Sequence, residues 1–180
     1  MRQLLGIILF FFSFIYSSYS QNQLDKENGL NKVKLNHTLQ HYQESLYLIT
    51  GDESLYRNND WLRKSVKRNI EKGVREGIYK EHSHLFVAGK KASKLSLIFY
   101  KDELYKIRWS FLKEDHANLK NLAKTINDAL IENFGSPNDQ PFSEMMVWEE
   151  SKNHLQTFLD EREFQIELRD NQIENTVKNL

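Results

Sequence analysis

His37 and His41 lie four residues apart, and His82 and His84 lie two apart. Spacing of four on a helix, or two on a strand, puts a pair of side chains on one face. Neutral imidazole is a common zinc and copper ligand, so these four histidines are the candidate metal donors of the chain. The plainer reading is polar histidines at a helix start and in a loop. No HExxH accompanies them, and with no cysteine there is no thiolate ligand or nucleophile. The carboxylate pairs Glu149-Glu150 and Asp160-Glu161 are the other candidates for chemistry. A glycosidase needs two carboxylates flanking a cleft, but both pairs fall at expected turns, where charges are simply solvated. There is no GxSxG, and the seven glycines are unclustered, which leaves no Walker or Rossmann fingerprint. We therefore expect no catalytic residues, no cofactor and no enzyme.

Binding is the remaining class. Phe99, Tyr100, Tyr105, Trp109 and Phe111 are interleaved with Lys101, Lys106 and Arg108. A base-stacking platform needs aromatics and cations on the same exposed face. Here Tyr105, Ile107, Trp109 and Phe111 alternate with Lys106, Arg108 and Ser110, so the aromatics are expected in the core and the cations outside. Tyr100 is the exception. Its parity is opposite to Leu95, Leu97 and Phe99, which places it on the wet face near Lys106 and Arg108. Those three are the expected binding residues. Lys101-Asp102-Glu103-Leu104 spells an endoplasmic-reticulum retention signal, but such a signal is read at a C-terminus. Between two alternating segments it is expected to be a hairpin turn.

These residues need elements to hold them. Gly29 to Leu35 alternates like a strand. Asn36 or Thr38 can cap a helix carrying Leu39, Tyr42 and Leu46. Asp60 can cap a second helix, with Leu62, Val66 and Ile70 under a basic face and Gly73 and Gly77 weakening its end. Leu85 to Ala88 reads as a short strand, followed by the strands around Leu97 and Ile107. A long helix follows Asp115, with Leu119, Leu122, Ile126, Leu130 and Phe134 on one stripe, ended by Gly135 and Pro137. Three strands close the chain, at Met145–Glu149, His154–Leu159 and Glu163–Arg169. Short turns between strands favour an α+β fold, an antiparallel β-sheet with helices packed on one face.

The first twenty residues differ from the rest. Arg2 precedes an apolar run from Leu4 to Tyr16, and Ser18 and Ser20 stand where a signal peptidase takes small residues. The alternative is an uncleaved membrane anchor, though the run is short of the roughly 20 residues that span a bilayer. We expect a signal peptide over 1–20 and a single domain over 21–180, flexible at 21–28 and 172–180. The absence of cysteine beside such a leader points to a bacterial periplasmic or secreted protein. Asn36-His37-Thr38 fits a glycosylation acceptor, which matters only in a eukaryotic host.

The chain carries 25 basic and 25 acidic residues, so no bulk field favours nucleic acid. The charges are segregated, however. Arg57 to Lys80 has eight Lys or Arg against three Asp or Glu, and Glu144 to Glu174 has nine Asp or Glu against three. The two expectations are a pair of solvated faces set against each other in the fold, or a basic patch for an anionic partner such as lipid headgroups or an acidic protein.

From His84 to Leu168 the chain resembles small exported bacterial α+β proteins of unknown function. The resemblance rests on Leu85-Phe86-Val87-Ala88-Gly89, Leu95 to Tyr100, Leu104 to Ile107, the helix end Asn133-Phe134-Gly135-Ser136-Pro137 and Trp148. These are structural motifs without a catalytic residue. The layout is also distantly similar to the helix-plus-meander repeats of β-lactamase-inhibitor-like proteins. The expectation is a non-enzymatic envelope domain that binds a protein or a surface component, with no nucleic-acid partner and no membrane-spanning part once the leader is removed. The alternatives are a secreted inhibitor or immunity-type protein, and a metal-binding protein or metal-dependent enzyme built on His37, His41, His82 and His84.

Overall fold

The structure is a computed structural model and describes residues 23–30 and 33–180. The expected signal peptide, with Gln21 and Asn22, lies outside the described residues. In chain order the elements are α1 (Gln23–Glu27), β1 (Gly29–Leu30), β2 (Val33–Lys34), α2 (Leu39–Tyr42), β3 (Leu46–Leu48), α3 (Asp60–Glu71), β4 (Val74–Tyr79), β5 (Phe86–Val87), β6 (Lys90–Lys91), β7 (Lys94–Tyr100), β8 (Glu103–Leu112), α4 (Leu119–Phe134), β9 (Met145–Glu149), β10 (Asn153–Leu159), β11 (Glu163–Asp170) and α5 (Asn171–Lys178). Seven strands form one antiparallel sheet in the order β3-β4-β7-β8-β11-β10-β9. The fold is α+β.

Two meanders make this sheet, β3 to β8 and β9 to β11, and they join where β8 pairs with β11. The long helix α4 carries the chain from the centre to the far edge, so that β9 to β11 can return strand by strand. Its N-cap is Asn118, whose side chain accepts from Asn121 N at 2.9 Å, rather than the expected Asp115. Gly135 ends it with φ 79°. The α4 stripe Leu122, Ile126, Leu130 and Phe134 lies against β10 and β11 and shares one core with Leu155, Phe164, Ile166 and Leu168 and with Leu97, Ile107, Trp109 and Phe111. Trp109 is fully buried, and its indole N–H donates to His84 O at 3.2 Å. Trp148 donates likewise to Gly135 O at 2.7 Å. An apolar body with its one polar atom satisfied is what makes a buried indole favourable.

Several elements differ from expectation. The apolar stretch Leu85–Ala88 gives only the short β5–β6 ribbon, outside the main sheet. The expected strand from Gly29 to Leu35 is two two-residue strands, β1 and β2. Val74–Tyr79, expected as the tail of a helix, is a full strand of the sheet. Gly77 belongs to β4 rather than a helix end: a Cβ there would stand 2.7 Å from Leu46 Cδ1, so glycine lets β3 close on β4. The chain start, expected to be flexible, folds as α1 with Leu24 fully buried. The chain end, also expected to be flexible, is helical through Lys178, with Ile173 and Val177 packed on the sheet.

The Tyr100–Glu103 connection is the expected hairpin tip. Lys101 and Asp102 have φ values of 48° and 69°. Two consecutive left-handed residues form the tight turn whose twist suits a two-residue hairpin. At the outer edge, β9 is covered by the loop before it: Asn138 N donates to Val147 O at 2.7 Å, and Val147 N to Asp139 O at 3.0 Å.

Candidate functional site: a charged sheet face and a basic helix

Alternation sends Ser96, Ile98 and Tyr100 to the face of the sheet opposite α4. A bulge in β8 then changes which aromatic joins them. Ile98 pairs with Lys106 and Phe99 with Leu104, leaving Tyr105 as the extra residue. Two bulged residues opposite one partner break strict alternation. Leu104 therefore takes the core position expected for Tyr105, and Tyr105 packs on the far face with Val74, Ile98, Tyr100, Ile173 and Val177. Burial, with Glu174 and Glu167 nearby, pushes the Tyr105 hydroxyl well above its ordinary pKa. Tyr100 is half-buried there, with Lys101 Nζ 5.1 Å from its ring centroid.

Glu167 organises the charges on this face, and it is only 7% exposed. Arg108 donates to its Oε2 from Nε at 3.2 Å and from Nη2 at 2.8 Å. Arg169 Nη1 donates to Oε1 at 3.1 Å. Lys106 Nζ lies 3.8 Å from Glu167 Oε1 and 3.0 Å from Glu174 Oε2, and Lys178 reaches the other Glu174 oxygen at 3.4 Å. Burial pushes the Glu167 carboxyl up, but Lys106, Arg108 and Arg169 outweigh it and hold the group below the usual carboxylate range. The expected binding residues thus share a face, as their parity implies. Lys106 and Arg108, however, are drawn onto carboxylates beside α5 rather than left open. Sequence reasoning missed Glu167. Its partners come from β8 and from its own strand, and only the β8–β11 register brings them together.

His154 sits beside this network, 7% exposed, with Nε2 3.1 Å from Gln156 Oε1. Burial and the Arg169 charge push its imidazole below its ordinary pKa. A polar cleft of about 480 Å³ lies here, lined by His154, Arg169, Asn171, Glu174 and Lys178 among others.

The four candidate metal donors do not converge. The His37 and His41 rings touch, with centroids 4.5 Å apart, and His37 Nδ1 lies 3.2 Å from the Tyr42 hydroxyl. His82 packs on Phe86, and His84 stacks on Tyr79. Among the described residues no group of three or more His, Cys, Asp or Glu is placed to hold a metal ion. One member of each carboxylate pair, Glu150 and Asp160, holds backbone N–H groups. Glu150 accepts from Leu24 N and Asp25 N at the start of α1, and Asp25 in turn accepts from Lys152 N and Asn153 N. Asp160 accepts from Arg162 N and Glu163 N in its turn. Asn36 is held by Asn28, Glu103 and Lys152.

Helix α3 contrasts with all of this. Its N-cap is Asn59, which accepts from Leu62 N at 3.0 Å, in place of the expected Asp60. No residue of α3 is fully buried; Leu62 and Val66 are half-buried. Trp61 is 77% exposed, Ile70 46%, and the nearby Leu55 53%. Between Arg57 and Lys72 there are six Lys or Arg against Asp60 and Glu71. Asp60 pairs with Arg63 at 2.7 Å and Glu71 with Lys67 at 4.0 Å, all four side chains being exposed. Lys64 and Arg68 have no ion-pair partner among the described residues. The acidic strands do not neutralise this helix, because the carboxylates of Glu167 and Glu174 pair with Lys106, Arg108, Arg169 and Lys178 instead. A cleft of about 580 Å³ on one flank is lined by Tyr56, Arg57, Arg63, Lys67, Ile70 and Glu71. Another of about 530 Å³ is lined by Arg68, Glu71, Lys72, Tyr100, Lys101 and Leu180.

No known family model, curated protein or solved structure matches the chain. No helix among the described residues is long and apolar enough to cross a membrane.

Proposed function

We propose that the protein is an exported, non-catalytic binding domain of the cell envelope, and that α3 with its flanking clefts is the surface that meets the partner. The leader-like N-terminus and the resemblance to small exported bacterial α+β proteins support the location. The observation that carries the reading is α3 itself. A helix that buries no side chain fully, exposes an indole and leaves Lys64 and Arg68 without an ion-pair partner among the described residues contributes little to the core. Such exposed apolar and charged groups mark an interaction surface. The titratable groups on the charged face are engaged with one another instead. Glu167 is held by three cations, and the Tyr105 ring is buried beside them with its hydroxyl pushed well above its ordinary pKa.

Two measurements test this. Purified protein is screened against hydrolase substrates and is expected to turn over none; turnover abolished by one point substitution overturns the reading. Binding to envelope fractions is expected to weaken in the double variant Lys64→Gln with Arg68→Gln. Retention by that variant at the full wild-type level would move the binding surface elsewhere.

A further inference from the structure

We infer that α3 docks the protein on an anionic phospholipid surface. The inference rests on the binding-domain reading above and names its partner.

Spacing along the helix is the first argument. Trp61, Lys64, Arg68 and Lys72 stand at i, i+3, i+7 and i+11, which places them on one stripe. The indole is at one end of this stripe and cations follow it. Lys72 Nζ also donates to Val177 O at 3.2 Å, so the stripe ends against α5. Lys101, over the Tyr100 ring, lies beyond it in the same cleft as Arg68 and Lys72. The other flank carries Arg57, Arg63 and Lys67 beside Tyr56 and Ile70. The outward half of the helix is thus predominantly cationic: Asp60 and Glu71, the latter lining both clefts, pair with Arg63 and Lys67 and leave Lys64 and Arg68 in excess, with apolar groups interspersed.

A lipid surface fits that arrangement better than other anions. Nucleic acid and acidic polysaccharide are matched by charge alone and give Ile70 and Leu55 nothing to bury against. An acidic protein is matched by guanidinium forks held in place, as Arg108 is held on Glu167. Arg68 is exposed and has no ion-pair partner among the described residues. A bilayer surface asks for point charges at headgroup level and an amphipathic ring at the boundary. Each flanking cleft pairs cations with a tyrosine ring, which suits a phosphate headgroup on its glycerol.

The test is co-sedimentation of the chain, purified as its host exports it, with phosphatidylcholine vesicles and with vesicles containing phosphatidylglycerol. The reading is the dependence on anionic lipid, because any retained N-terminal apolar segment would insert into both alike. Binding is expected only with phosphatidylglycerol and is expected to fall as salt rises. Each cation removed should lower partitioning about five-fold, so Lys64→Gln with Arg68→Gln should lower it roughly 25-fold. Trp61 should shift its emission to the blue on binding, since the other two tryptophans, Trp109 and Trp148, are already buried. Circular dichroism and unfolding midpoints show that the variants remain folded. Equal binding to both vesicle types, or undiminished binding by the double variant, overturns the inference. So does absence of vesicle binding. If envelope binding still requires Lys64 and Arg68 in that case, the binding-domain reading stands without the lipid. If it requires neither, both fall.

Discussion

Helices α3 and α5 are both short, both amphipathic and both set beside the same face of the sheet, yet the fold treats them oppositely. α5 starts on Asp170, whose carboxylate accepts from Gln172 N and Ile173 N at 2.9 and 3.0 Å. It lays Ile173 and Val177 on Tyr105 and delivers Glu174 to Lys106. α3 is also capped, by Asn59 accepting from Leu62 N, and buries nothing completely. One helix neutralises the charges of the sheet, and the other displays charges of its own. Amphipathic patterning alone does not say which outcome a helix meets. That is decided by what the sheet offers underneath.

The comparison can be broken most sharply at Glu167. Glu167→Gln leaves Lys106, Arg108 and Arg169 around a neutral amide. Removing one partner of a buried ion pair costs about 3–5 kcal/mol, so urea unfolding should show a loss of roughly 3 kcal/mol at the lower end of that range. A loss below about 0.5 kcal/mol, the scatter of an ordinary surface substitution, would mean the network holds nothing together. Next come Ile173→Ala and Val177→Ala. Both side chains are half-buried, so each should cost about 1 kcal/mol, with Tyr105 fluorescence or hydrogen exchange reporting its uncovering.

Acid tests the same face by another route. The folded state holds the His154 imidazole below its unfolded value of 6.5, so it favours the neutral ring. Its contribution is present above that unfolded value and is lost as pH falls through the folded one. Glu167 adds a second loss at lower pH, below its unfolded value of 4.5, because its folded carboxyl is held down by three cations. Melting temperature should therefore drop first below neutrality and again near pH 4. His154→Gln should shrink the first drop, which His37, also held below its ordinary value by burial and by His41, shares, and should leave the second unchanged. The smallest effect belongs to α3. Trp61→Ala and Ile70→Ser should each change stability by no more than about 0.5 kcal/mol, as for an exposed position. A large loss from either would show that α3 is a packing element after all.

The sequence made the well-patterned half legible. β11, and β8 from Ile107 to Phe111, alternate apolar and polar residues, and α4 carries an uninterrupted stripe with Gly135 at its end, so local pattern and global fold agree there. β4 was hidden because Val74-Arg75-Glu76-Gly77 carries two charges and a glycine, and it becomes a strand through pairing with β7 and β3. α5 was hidden because it has only two apolar residues to bury. Their partner, Tyr105, reaches that face through a bulge that alternation does not announce. The face shared by Tyr100, Lys106 and Arg108 was readable from parity. Their engagement by Glu167 was not, since it depends on a strand some sixty residues away. The basic character of α3 was visible from composition, and its exposure was not.

The loop over β9 bears on how the molecule behaves in a crowd. An antiparallel sheet with open edges can recruit a strand from a neighbouring copy and grow. Here Asn138 and Asp139 occupy the hydrogen-bonding groups of Val147, and the opposite edge, β3, is only three residues long, with Lys80 Nζ 5.1 Å above the Tyr47 ring. One edge is latched and the other is too short to template a partner. Neither edge of the seven-stranded sheet therefore offers a long open row of backbone groups to a neighbouring strand, which matters for a chain whose formal net charge of zero supplies no repulsion between copies.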